Sequence, residues 1–166
     1  MRARPPGFEC RYIVVADEDR AVVNFVIQTL LNDGHAVFQA YDGQTAIDLA
    51  LGLKVCDLVI SNTRVGGIAG PDLIDELRLH LPDLPIAYLG NHSGSGSDLE
   101  RRLPGDVPIL REPFTAEELR ATVRSLLERG PHLMHNARRP HPKVQHNQSG
   151  KRHSDALSDW PPGGAG

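Results

Sequence analysis

Short uncharged apolar runs alternate with amphipathic segments of ten or more residues through most of this chain, and that alternation constrains its fold more than anything else. Tyr12–Ala16, Leu58–Ser61 and Ile86–Leu89 carry no charge, as strands buried on both faces of a sheet do. Ala36–Ala40 and Val107–Leu110 complete the strand signals. Between them, Arg20–Asn32 sets Val23, Val26, Ile27, Leu30 and Leu31 at helical spacing and stops at Asp33-Gly34. Asp42 caps a second helix whose apolar face is Ala46, Ile47 and Leu49 to Leu51. Pro71–Leu81 forms a third, burying Leu73, Ile74, Leu77 and Leu81. A short helical signal follows at Asp98–Leu103. The last helix opens on the capping box Thr115-Ala-Glu-Glu118 and runs to about Glu128, with Leu119, Val123, Leu126 and Leu127 inward. Strands joined by helices pair in parallel. Five such units predict an α/β fold: a five-stranded parallel sheet in a flavodoxin-like (βα)5 arrangement.

Composition divides the chain further. Residues 1–10 read as an N-terminal arm, 11–129 as the folded domain and 130–166 as a polar tail. The tail is rich in His, Pro, Gly, Ser and Asn without an apolar period, so it cannot offset its ordering entropy and is expected to be disordered. It carries a formal +3, which leaves −6 on the rest. An acidic body argues against nucleic-acid binding by the folded domain. A membrane span needs about 18 apolar residues in succession, and none occurs. The charged start Met1-Arg-Ala-Arg4 has no apolar segment behind it, unlike a secretion signal. Cys10 and Cys56 read as free thiols of a reducing cytoplasm.

Ligands of parallel α/β sheets bind beyond the carboxyl ends of the strands, so the residues there matter most. The first strand ends in Asp17-Glu18-Asp19 and the third in Asn62, followed by Thr63-Arg-Val-Gly-Gly-Ile-Ala-Gly70. Asp17 and Glu18 also admit a plainer reading, a solvated acidic turn that caps the first helix. Gly66-Gly67 lacks the spacing of a phosphate-cradling loop. Gly90–Ser97 reads as a flexible linker, and Arg64 and Arg111 are the cations closest in sequence to the strand ends.

Taken together, the acidic pair, the polar end of the third strand, the Gly-containing turn and Glu112-Pro113-Phe114 resemble the receiver domain of two-component response regulators, over about Arg11–Arg129. The resemblance implies Mg²⁺ at Asp17 and Glu18 and a phosphoacceptor at Asn62, forty-five residues beyond Asp17. Gly70 matches the glycine that opens helix three. The family's Thr or Ser falls on Gly90, its switch aromatic on Ile109 and its lysine on Glu112. An amide is a poor nucleophile, glycine offers no hydroxyl, and a glutamate pointing inward opposes a phosphoryl anion. Two unit charges about 4 Å apart interact by about 4 kcal/mol at an effective dielectric near 20, so trading a lysine attraction for a glutamate repulsion costs a bound phosphoryl group several kcal/mol. The alternative for Glu112 is a solvent-facing side chain paired with Arg111.

The resulting expectation is a degenerate receiver, a pseudo-receiver without enzymatic activity. It would stand alone, lacking an output domain, in a phosphorelay of the cytoplasm and bind Mg²⁺ weakly through Asp17 and Glu18. Its partner would be a histidine kinase or another phosphorelay protein. The contact would lie on helix one or on the surface of helix four, strand five and helix five. Two alternatives stand beside it: a receiver phosphorylated at a non-standard acid such as Asp17, and a flavodoxin-like small-molecule binder.

Overall fold

The computed structural model describes residues 9–53, 55–91 and 98–129. Expectations placed on the N-terminal arm, on most of the 90–97 linker and on the polar tail fall outside these residues. Five strands form one parallel sheet in the order β2-β1-β3-β6-β7, with β1 at Tyr12–Ala16, β2 at Ala36–Ala40, β3 at Leu58–Asn62, β6 at Ile86–Gly90 and β7 at Ile109–Arg111. The helices are α1 (Arg20–Asn32), α2 (Gly43–Gly52), α3 (Gly70–His80), α4 (Asp98–Arg101) and α5 (Ala116–Arg129). This is the flavodoxin-like fold.

Alternation along each strand sends side chains to two separate cores. Val14, Ala16, Val59, Ile86 and Tyr88 pack on one face with Ala46, Leu73, Ile74 and Leu77 of α2 and α3. Ile13, Val15, Leu58, Ile60 and Leu89 pack on the other with Val23, Val26 and Leu30 of α1 and Leu119, Val123 and Leu126 of α5. Each aliphatic side chain buried this way contributes about 1.5–3 kcal/mol, which is why the uncharged strand runs predicted the sheet so directly.

Caps fix the helix starts. Asp19 accepts from the backbone N–H groups of Ala21 and Val22. Asp42 accepts from Thr45. Thr115 and Glu118 bond reciprocally, as the capping box requires.

Several local expectations are corrected. Leu31 and Leu51 are exposed rather than inward. Successive helical residues stand about 100° apart, so each yields the core to a neighbour, Leu30 and Ala50 respectively. The final strand begins at Ile109, because Pro108 has no N–H to donate to the ladder. The glycine-rich turn after β3 is a small antiparallel hairpin, β4 (Arg64–Val65) with β5 (Ile68–Ala69). Gly66 and Gly67 at its tip have φ of 56° and 83°. Both angles are positive, as a two-residue hairpin turn that matches strand twist requires.

Candidate functional site

The sheet order reverses direction at β1, with β2 on one side and β3 on the other. The crevice at the carboxyl ends of β1 and β3 is therefore the topological switch point of the fold. Register pairs Ala16 with Ser61, which sets Asp17 and Asn62 side by side just beyond. Asp17 is 1 % exposed. One of its oxygens accepts from the Asp19 backbone N–H at 2.8 Å. The other accepts from Asn62 Nδ2 at 2.7 Å. The remaining Asn62 oxygen accepts from the backbone N–H of Thr63. The amide thus spends its donor on Asp17 and its acceptor on the following turn.

Glu18 turns the other way. Its Oε1 accepts from the Gly66 N–H at 2.6 Å, tying the end of β1 to the β4–β5 hairpin. That bond also removes Gly66 as a phosphate donor. Asp17 and Glu18 consequently do not converge. Hard divalent cations need several oxygens gathered around one point. Among the described residues no three His, Cys, Asp or Glu side chains gather in that way. With Asn62 uncharged and Glu18 turned to the hairpin, the acids do not fit a Mg²⁺ site.

Glu112 points inward. Its Oε1 is buried and accepts no hydrogen bond. Burial pushes its carboxyl above the usual range, and Asp17 and Asp19 push it in the same direction. Asp17 is likewise raised, by burial first and then by Asp19 and Glu18, against the opposing hydrogen bonds from Asp19 and Asn62. The alternative pairing of Glu112 with Arg111 is not what the structure forms. Arg111 donates through both terminal nitrogens to Glu100 of α4, each at 3.1 Å.

That ion pair sits beside Gly90, whose carbonyl accepts from the Glu112 N–H at 2.9 Å. A Cβ at residue 90 would lie 2.9 Å from Ile109 Cγ2 and 3.0 Å from Glu100 Oε1. The place a hydroxyl side chain would take is filled by a carboxylate from α4. Glu100 was not singled out from the sequence, because a lone charge in a four-residue helix has no periodic signal. Tyr88 was also missed; fully buried on β6, it gives the interior an aromatic one strand away from Ile109. Cys10 and Cys56 are not joined in a disulfide, and burial raises the Cys56 thiol to about 11.

The response regulator receiver domain family matches residues 13–124. The chain belongs to that family. Its relatives include response regulator MprA of Mycolicibacterium vanbaalenii, 32 % identical over 117 residues, covering 70 % of this chain and 50 % of that protein. Another is sensor kinase CckA of Brucella abortus, 31 % identical over 121 residues, covering 70 % of this chain and 12 % of that one. The chain therefore spans half or less of the length of these two relatives. Among solved structures, a response regulator receiver protein from Sinorhizobium medicae superposes with a TM-score of 0.65 at 25 % identity, covering 73 % of this chain and 97 % of that one. As a receiver domain, the protein belongs to two-component signalling. No helix among its described residues is long and apolar enough to cross a membrane.

Proposed function

We propose that this receiver works as a phosphorylation-independent protein-binding module, with Asn62 standing where its family keeps a phosphoacceptor aspartate. The observation that carries this reading is the Asn62–Asp17 hydrogen bond. Asn62 replaces an anionic nucleophile with a neutral amide, and the bond uses that amide to hold the neighbouring acid. Two further features support it. Glu112 brings a third acid to the crevice, where a phosphoryl anion needs a cation. Gly90, walled by Ile109 and Glu100, has no hydroxyl to follow a phosphoryl oxygen.

Asp17 is a poor substitute acceptor. It is buried and already holds two hydrogen bonds, and an incoming phosphorus would have to displace both. The module is not an enzyme in this reading. Its partner is a histidine kinase or another phosphorelay protein of the cytoplasm, which it occupies without receiving phosphate.

The test is to treat the full chain with acetyl phosphate and Mg²⁺ and weigh it by intact-mass spectrometry. The expected result is an unchanged mass. An acid-labile phosphoryl group mapped to Asp17, Asp19 or Glu112 would overturn the reading.

A further inference from the structure

The two cysteines take no part in the crevice, yet the fold brings their chain segments together at the opposite, amino end of the sheet. Cys10 precedes β1 and Cys56 precedes β3, and these neighbouring strands pair Ile13 with Leu58. Carried back two residues, that register sets Arg11 opposite Cys56, with Cys10 one residue further along. A strand spacing of about 4.8 Å and a rise of about 3.3 Å per residue put the two Cα atoms about 6 Å apart, within the span that a disulfide bridges. Polar contacts hold the two segments in place. The Tyr12 N–H donates to Asp57 Oδ2 at 2.8 Å, the Asp57 N–H donates to the Tyr12 carbonyl at 2.9 Å, and Arg11 reaches Asp57 at 3.5 Å.

Both side chains fall on one face of the sheet. Tyr12 stacks on Phe38 with ring centroids 6.2 Å apart, and Phe38 packs against the core shared by α2 and α3. Residues two apart along an extended chain share a face, so Cys10 lies on that side with Tyr12. Cys56 packs against the same core. Its Sγ donates to the Leu58 carbonyl at 3.7 Å, and burial holds its proton. A protonated thiol attacks an oxidant poorly, so the first attack falls to Cys10.

We propose that Cys10 and Cys56 are a redox modification site, closing to an intramolecular disulfide when the protein meets hydrogen peroxide. The Cys10 thiolate sulfur attacks one peroxide oxygen and the O–O bond breaks. Hydroxide leaves and takes up the proton that the thiol gave up, forming water, and Cys10 becomes a sulfenic acid. The Cys56 thiolate then attacks that sulfur. The S–S bond forms, the S–O bond breaks, and hydroxide leaves to become water with the Cys56 proton. In sum two thiols lose two electrons and two protons, and one peroxide becomes two waters. A small thiol such as glutathione reverses the bond by exchange. The bridge clamps the entry of β1 to the entry of β3 and leaves the crevice at the carboxyl ends as it is. It therefore stands apart from the phosphorylation-independent reading.

The experiment treats the dilute, reduced full chain with hydrogen peroxide and weighs it intact. The expected product is a monomer lighter by two hydrogens, restored by dithiothreitol. The chain has two cysteines, so that mass identifies the bond. The bridged form should have a higher urea midpoint than the reduced form, because the bond restricts the unfolded chain. Cys56→Ala should accumulate a Cys10 sulfenic acid that dimedone captures. Cys10→Ala, which leaves the buried thiol, should react with peroxide roughly tenfold more slowly. The mass of the unaltered chain needs no variant, so a substitution that fails to fold leaves the test intact. Oxygen gained at either sulfur without loss of hydrogen, a bridge formed only between two copies, a lowered urea midpoint, or faster capture at Cys56 than at Cys10 would each overturn the proposal.

Discussion

The β1–β3 end of the sheet and the β6–β7 end meet the same crevice, yet they are built on different principles. At β1–β3, long helices and deep strands hold polar groups in defined hydrogen bonds: Asn62 to Asp17, Gly66 to Glu18 and Asp19 to Asp17. At β6–β7, the flanking helix α4 is four residues long and β7 three, and volume is filled by Ile109 and a Glu100–Arg111 ion pair around a bare glycine. The first end has kept its acids and given each a partner inside the protein. The second encloses a glycine with the Glu100–Arg111 charge pair.

Substitutions can break this contrast, and the largest effect belongs to the β1–β3 end. In Gly66→Ala the new Cβ would lie 2.5 Å from Asp42 Cβ and 2.7 Å from its Cα, at a φ of 56°. Clash against backbone and a left-handed φ together should cost about 3–4 kcal/mol, read as a lowered urea midpoint. Gly90→Thr should cost less, about 2 kcal/mol, since the flexible Glu100 carboxylate can withdraw at the expense of its Arg111 pairing. If Gly90→Thr proved neutral, the β6–β7 end would be loosely packed and the contrast between the ends would fail.

Asn62→Asp removes a donor from buried Asp17 and sets a carboxylate against it. The expected loss is about 1–2 kcal/mol at neutral pH, and it should shrink on acidification as one of the two acids takes a proton. A loss independent of pH would mean that the two side chains do not share a field.

The smallest effect concerns Glu112. Its folded carboxyl titrates above the ordinary value, as does that of Asp17. Each therefore binds its proton more tightly in the folded state than in the unfolded state. The stability this provides is fully present below the unfolded carboxylate value and is lost as pH rises through the raised one. Glu112→Gln should remove one such group and relieve the other. Above that window the variant should be more stable than the parent by about 0.5 kcal/mol, with solvent screening at this part-exposed site allowed for. Below it, the advantage should vanish. Thermal melts at a series of pH values would show the two curves converging toward acid.

Much of this protein was legible in its residues before any coordinates. Charge-free runs bounded by polar ends marked β1, β3 and β6, because a strand covered on both faces tolerates no charge. Asp42 and the Thr115–Glu118 box set helix starts through local bonds that need no distant partner, whereas the cap of α1 fell on Asp19 rather than on Asp17 or Glu18. The identities at Asp17, Asn62, Gly90 and Glu112 raised the expectation of an altered phosphorylation pocket, which stands as the proposal made above. Direction was not legible. Whether Glu112 faced inward or toward Arg111, whether Glu18 joined Asp17 or left it, and what filled the space at Gly90 depended on residues far apart in the chain. Glu18 meets Gly66 across 48 positions and Arg111 meets Glu100 from another element. Local patterns report which face of a helix or strand is apolar, because periodicity repeats within one element. The partner of a single charged side chain at a loop is chosen by which elements the sheet brings together, and that choice exists only once the fold has formed.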